Sequence, residues 1–231
     1  IYSASAITKR ADATWAKGTG NGGMASGVTW GANSFHIHAL GSKDDPSIAE
    51  IGFDTSLTAA NILADTAVVA AGLTTYRRIG SFITVGAAWP LVTARELAGG
   101  ALEILLKSPA AQFSKDWAGA DDTAQTGTLI NVPGGIQVEA ILNWVFQDAS
   151  AAGASALLVT ALDQTDTAAN SAILTSVGQI RLAATGGATS QGAVIRTRTS
   201  TSRTLRYRGA DTTIDHALSV SLNGWIDERV A

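Results

Sequence analysis

Two histidines, His36 and His38, sit two residues apart in Ser34-Phe35-His36-Ile37-His38-Ala39-Leu40. On a strand, that spacing sends both imidazoles to the same side, as in a His-x-His pair of metal ligands. Only one other histidine, His216, exists, so an acid would have to complete a site. The simpler reading makes the pair the solvent-facing side of a half-buried strand whose apolar side is Phe35, Ile37 and Ala39. No metal is expected.

The sharpest charged feature is AVIRTRTSTSRTLRYRG, which carries Arg196, Arg198, Arg206 and Arg208. It reads as a hairpin centred on Ser202, with Arg196 facing Arg208 and Arg198 facing Arg206. Like charges opposed across strands are destabilising, so anions must compensate. Asp215, Asp227 or Glu228 could supply them as an ion network, within the chain or from a neighbouring subunit. An acidic surface polysaccharide could do the same, because guanidinium binds carboxylate in a bidentate way.

The acid clusters Asp44-Asp45, Asp121-Asp122 and Asp163/Asp166 fall in loop-like stretches. A glycosidase needs two carboxylates across a cleft, and calcium needs a denser set of oxygen ligands. The clusters read instead as solvated turns. GTGNGG (Gly18–Gly23) lacks the Lys-Ser/Thr of a phosphate loop, and its glycines suit a tight turn with positive φ. No GxSxG elbow is present. No catalytic residue and no cofactor are expected.

Each of the six tryptophans could bury ~150–250 Å². Trp144 lies in an apolar strand face and is expected in the core. Trp30 and Trp117 lie among small and polar residues, where a partly exposed ring could stack on a sugar or anchor an interface.

The chain has 231 residues, a net charge of −3 and no cysteine. That length buries ~70–75% of the unfolded surface without metal or disulfide. The acidic balance argues against a nucleic-acid partner. No apolar run approaches the ~20 residues of a membrane helix, so no membrane insertion is expected.

Short alternating apolar stretches broken by Gly, Ser, Thr, Asn and Asp dominate. Ser34–Leu40 and Ile48–Phe53 flank the turn Lys43-Asp44-Asp45-Pro46 and form a hairpin. Thr75–Val85 is a strand. Leu91–Leu106 is strand, turn, strand, because Gly99-Gly100 would cost a helix about 1 kcal/mol each. Thr128–Val132 precedes the breaker Pro133-Gly134-Gly135. Ile136–Phe146 then places Ile136, Val138, Ala140, Leu142, Trp144 and Phe146 on one face. Ala156–Leu162, Gly178–Ala184, Ala193–Thr199, Arg203–Arg208 and His216–Leu222 complete about a dozen strands. One helix is expected, at Thr58–Ala71, capped by Ser56 or Thr58. This is an all-β, antiparallel, jelly-roll-like sandwich. It forms one module over 1–231, with a two-lobed split at Lys107–Thr126 as the alternative. Asp163–Ala172 reads as an exposed loop tip.

Three stretches carry a resemblance by their wording: SAITKRADATWAKGTGNGGMASG (Ser5–Gly27), IGFDTSLTAANILADTAVVAAGLTTYRRIGSFIT (Ile51–Thr84) and NGWIDERVA (Asn223–Ala231). In order and over the full length, they resemble a β-sandwich module of tailed-bacteriophage virion-surface proteins: tail fibres, head fibres and spikes. Two departures stand out. Met24-Ala25 replaces a Leu-Asp, and Asn61–Thr74 replaces a short Pro-containing loop, which implies a longer loop or a helical turn. The resemblance implies structural roles for Arg77 and Arg78, with Asp54 as partner, and for Trp225. It implies a non-enzymatic fibre or spike head that is homotrimeric and located on the virion. An N-terminal anchor preceding Ile1 would join it to other virion proteins. A capsid decoration protein, a polysaccharide depolymerase and a cellular lectin are the alternatives. A low charged fraction of 15% suits a subunit interface.

Overall fold

The computed structural model describes residues 6–84, 92–117, 123–148, 155–167, 179–182, 189–209 and 216–229. The chain forms two compact units: Ile1–Pro90 with Ala98–Leu102 and Glu228–Ala231, and Leu91–Leu97 with Glu103–Asp227. Both are built from strands, as the sequence implies. Of the stretch Lys107–Thr126, residues 107–117 belong to a strand within the second unit.

In the first unit, strands β1 (Arg10–Thr14), β2 (Gly22–Met24), β3 (Ser34–Gly41), β4 (Ala49–Asp54) and β5 (Thr75–Ile83) form one sheet in the order β1-β2-β4-β3-β5. The expected β3–β4 hairpin is present. In its turn, Asp45 accepts from the hydroxyl of Ser47 at 2.6 Å and from its N–H at 2.9 Å. The hydroxyl bond, then the backbone bond, holds the Asp45 carboxyl below the usual carboxylate range. The sheet departs from the antiparallel rule at one end, where β1–β2 and β2–β4 pair in parallel. Glycine permits that approach: a Cβ on Gly22 would lie 1.9 Å from the Thr14 carbonyl oxygen, and one on Gly23 would lie 2.8 Å from the Phe53 ring.

Both faces of this sheet are covered. Leu40 packs with Trp15, Ile62, Val68 and Leu73 on one face. Phe35 packs with Met24, Phe53 and Phe82 on the other. The expected solvent-facing side of β3 therefore does not exist: His36 and His38 are 2% and 0% exposed. The alternation is real, but each side of the strand meets its own core.

The single expected helix is two, α1 (Ala60–Ala64) and α2 (Thr66–Ala70), broken at Asp65. Asp65 has extended backbone and caps α2 by accepting from the Ala67 N–H at 2.9 Å. It also accepts from the Ser26 N–H. The α1 N-cap residue is Ala59, which has no side chain to cap with. Neither Ser56 nor Thr58 takes the role.

The second unit holds β6 (Val92–Glu96), β7 (Leu102–Trp117), β8 (Gln125–Thr128), β9 (Glu139–Asp148), β10 (Ser155–Thr160), β11 (Gln179–Leu182), β12 (Thr189–Arg198), β13 (Thr204–Gly209) and β14 (His216–Asp227). Its sheets are ordered β11-β10-β13-β8 and β12-β9-β14-β7-β6. The antiparallel pairs β8·β13, β9·β12 and β10·β11 are nested one within the next. This is the wrapped pairing of a jelly roll, with β14, β7 and β6 added beyond β9.

Residues Ile136, Val138, Ala140, Leu142, Trp144 and Phe146 are all buried, as expected. Trp144 meets Phe113 of β7 and Tyr207 of β13, at centroid distances of 5.8 Å and 6.1 Å, so one ring cluster spans both sheets. Gly99 and Gly100 turn between β6 and β7 with φ of 84° and 83°.

Two segments differ from expectation. Thr128–Val132 is mostly loop, with β8 ending at Thr128. Leu129 and Val132 are fully buried there, and buried apolar residues in a loop carry the signature of a strand. Lys107–Trp117 is strand although its pattern is broken. β6 is much shorter than β7, so part of β7 lacks that neighbour, and Pro109 is tolerable on an edge.

Candidate functional site

The motif residues of the first unit converge on one face of β3, β4 and β5. His36 lies in register between Asp54 and Ser81, and His38 between Gly52 and Arg78. His36 Nδ1 and Ser81 Oγ are 2.8 Å apart, and Arg78 Nη1 donates to the same hydroxyl at 2.9 Å. His38 Nε2 donates to the Ser56 carbonyl at 3.0 Å. The Tyr76 ring stands edge-on to His38 at 5.6 Å and is 41% exposed. Desolvation lowers the His38 pKa from its ordinary 6.5, against smaller raising effects of the Ser56 bond and the Asp54 charge, and Arg78 lowers it further. A bulge between Ile37 and His38 pairs Ile37 with Gly80 and His38 with Arg78, leaving Ile79 as the extra residue.

Asp54 is fully buried and saturated. Its carboxylate accepts from the N–H groups of Ser56, Asn61 and Ile62, each at 2.9 Å, and from Asn61 Nδ2 at 2.7 Å. Four N–H groups thus occupy the carboxylate. Asp54 reaches from the end of β4 to serve as the N-terminal cap that Ala59 cannot provide. Arg77 is exposed. Substituting Asp54→Ala strands three backbone donors and is expected to cost about 2–3 kcal/mol. Hydrogen exchange of residues 60–64 is the measurement, and unchanged protection there contradicts the capping role.

A buried ion pair lies at the parallel end of the sheet. Lys9 Nζ is 2.8 Å from Glu50 Oε2, with side chains 0% and 7% exposed. Lys9 also donates to the carbonyls of Ala16 and Gly18 and lies 5.0 Å from the Trp15 ring centroid. Glu50 accepts from the Gly18 N–H at 2.8 Å. Neither residue stands out in the sequence, since an isolated Lys and Glu are ordinarily surface residues. The burial of Glu50 follows from a sheet covered on both faces.

In the second unit the four arginines do not face one another as a hairpin. The Ser200 N–H donates to the Thr204 carbonyl and the Arg203 N–H to the Ser200 carbonyl. After that turn the strands part: β12 pairs with β9, and β13 with β10 and β8. The local chemistry is a hairpin turn, but the connection crosses between two sheets. Acids meet all four side chains. Arg196 lies 3.9 Å from Glu103 and 4.0 Å from Glu139, and Arg198 pairs with Asp163. Arg206 and Arg208 lie 4.0 Å and 3.2 Å from Asp166. Of the three acids expected to compensate them, Asp215 lies outside the described residues. Glu103 is held also by Arg95. The pairs exposed at both ends, Arg198–Asp163 and Arg196–Glu139, contribute about 0.2–1 kcal/mol each, whereas Glu103 is buried.

Trp30 is half-buried and stacked on Phe35 at 5.5 Å, so one of its faces is already occupied. The Trp117 side chain lies outside the described residues. Trp144 and Trp225 are 0% and 1% exposed and belong to the core.

His36 and Ser81 have the contact of a base and a nucleophile, but both are sealed from solvent and Ser81 accepts from a guanidinium. Among the described residues, no group of three or more His, Cys, Asp or Glu is placed to hold a metal ion. Among them too, no helix is long and apolar enough to cross a membrane.

Fold and site together define an all-β protein with a jelly-roll unit and a motif-bearing mixed-sheet unit. No protein-family model matches the chain, and no curated protein matches its sequence. Among solved structures, a chain from "Structure of infectious bursal disease virus Gx strain" aligns at 15% identity and a TM-score of 0.25. The alignment covers 89% of this chain and 58% of that one. Similarity that low carries no functional inference.

Proposed function

We propose that the chain is a non-enzymatic structural module of a virion surface: the fibre or spike head of a tailed phage or phage-like particle, contacting the host. The supporting observation is where the motif residues lie. Asp54, Arg78 and Ser81, which carry the wording shared with phage virion modules, are engaged in holding a fold together. The GTGNGG loop is likewise fixed by Lys9 and Glu50. Residues with these duties mark a scaffold. Attachment then depends on several copies acting together, and a homotrimer joined to other virion proteins supplies them. A host-surface polysaccharide is the proposed partner.

Native mass measurement of the purified chain tests the assembly, with a trimer expected; a monomer at all concentrations overturns that part. Immunogold labelling of particles tests location. Label at the tail supports the fibre reading, and label on the capsid shell replaces it with a decoration protein. Release of reducing ends from host polysaccharide would contradict the non-enzymatic assignment.

A further inference from the structure

We propose that His38 is an acid-sensitive latch: its neutral ring holds the Asp54–Thr58 turn, and through it the start of α1, onto β3, and protonation releases them. The geometry carries this. His38 is fully buried, and its bond to the Ser56 carbonyl places the ring proton on Nε2. Nδ1 is buried with no hydrogen-bond partner among the described residues. A second proton would sit there without an acceptor, which a buried charge does not tolerate.

The titratable and charged groups facing the ring come from three strands. On β3, the His36 ring lies 6.5 Å away, centroid to centroid. From β5 come Tyr76 and Arg78, and from β4 comes Asp54. Asp54 favours the charged ring and Arg78 opposes it, but burial weighs most, so the pKa falls below 6.5. Asp54 cannot turn to receive the new proton, because four N–H groups already hold its carboxylate.

The direction follows from linkage. A released His38 binds its proton near 6.5, while the latched ring binds it only at lower pH. The latch is therefore at full strength above 6.5 and weakens as pH falls from there through the depressed value. Over that window the opening equilibrium rises by up to about tenfold per pH unit.

Hydrogen exchange of the whole chain between about pH 8 and about pH 5, corrected for intrinsic exchange, tests the latch. Opening of residues 52–64 is expected to increase by up to about tenfold per pH unit below the ordinary imidazole pKa, with β9 of the second unit as internal reference. His38→Gln keeps an N–H donor without a titrating ring, and its residues 52–64 are expected to show no such increase. An equal acid response in the variant, or none in the unaltered chain, overturns the proposal. If His38→Gln fails to fold, imidazole NMR titration of the unaltered chain decides: a His38 pKa below 6.5 supports the latch, and one at or above it overturns the latch.

Discussion

Replacing Lys9 with methionine is expected to destabilise the first unit by about 3–5 kcal/mol, the cost of leaving a buried charge without its partner. The ammonium donates to the Ala16 and Gly18 carbonyls and forms an ion pair with Glu50. Methionine fills similar space but leaves Glu50 almost sealed from water beside an apolar thioether. The Gly18 N–H still reaches the carboxylate, so the loss falls short of full isolation. The companion variant Lys9→Met with Glu50→Leu removes both charges and is expected to recover most of the loss, because apolar replacement of a whole buried pair is often neutral or better. Denaturant titration followed by hydrogen exchange in β3 and β4 reads both variants. If Lys9→Met alone leaves those amides as protected as before, the pair is not an anchor. If the double variant is worse than the single, the carboxylate has a role beyond balancing Lys9.

Trp144→Ala is expected to cost the second unit about 3–5 kcal/mol, since it deletes a large side chain from a packed interior. The ring is fully buried and joins Phe113 to Tyr207 across the sandwich. Removing it would leave a void that flanking strands cannot close without breaking the β9 ladders to β12 and β14. Its indole N–H has no hydrogen-bond partner among the described residues, so Trp144→Phe sacrifices no bond seen there and is expected to cost clearly less than alanine. Exchange of β9 and β14 amides is the readout. Equal losses for Phe and Ala would mean that the indole N–H, not the ring's volume, matters.

Several features of the fold are legible in the chain by itself. Ile136 to Phe146 shows its buried face because one side of β9 meets the core while residues such as Val145 and Gln147 lie exposed. The β3–β4 hairpin is legible because Asp45 and Pro46 are turn chemistry. Where a strand is buried on both sides, the same reasoning misleads: His36 and His38 look like a wet face only if one face is assumed wet. Ser200–Thr204 misleads in another way, since a correct local turn is followed by strands that separate into different sheets.

The candidate site was legible in its members and not in its connections. Asp54, Arg78 and Trp144 can be singled out from wording and pattern. Lys9, Glu50 and Glu103 cannot, because their importance comes from burial.

The order of apolar and polar residues, the turn formers and the glycines determined that this protein is built of strands and where most of them run. These are properties of neighbours along the chain, fixed by backbone sterics and the two-residue repeat of a strand. Only the tertiary structure decided which strands pair, which faces are covered and which charges are buried. Those outcomes depend on residues far apart in sequence, such as Lys9 with Glu50 and Arg198 with Asp163, whose meeting no local pattern encodes.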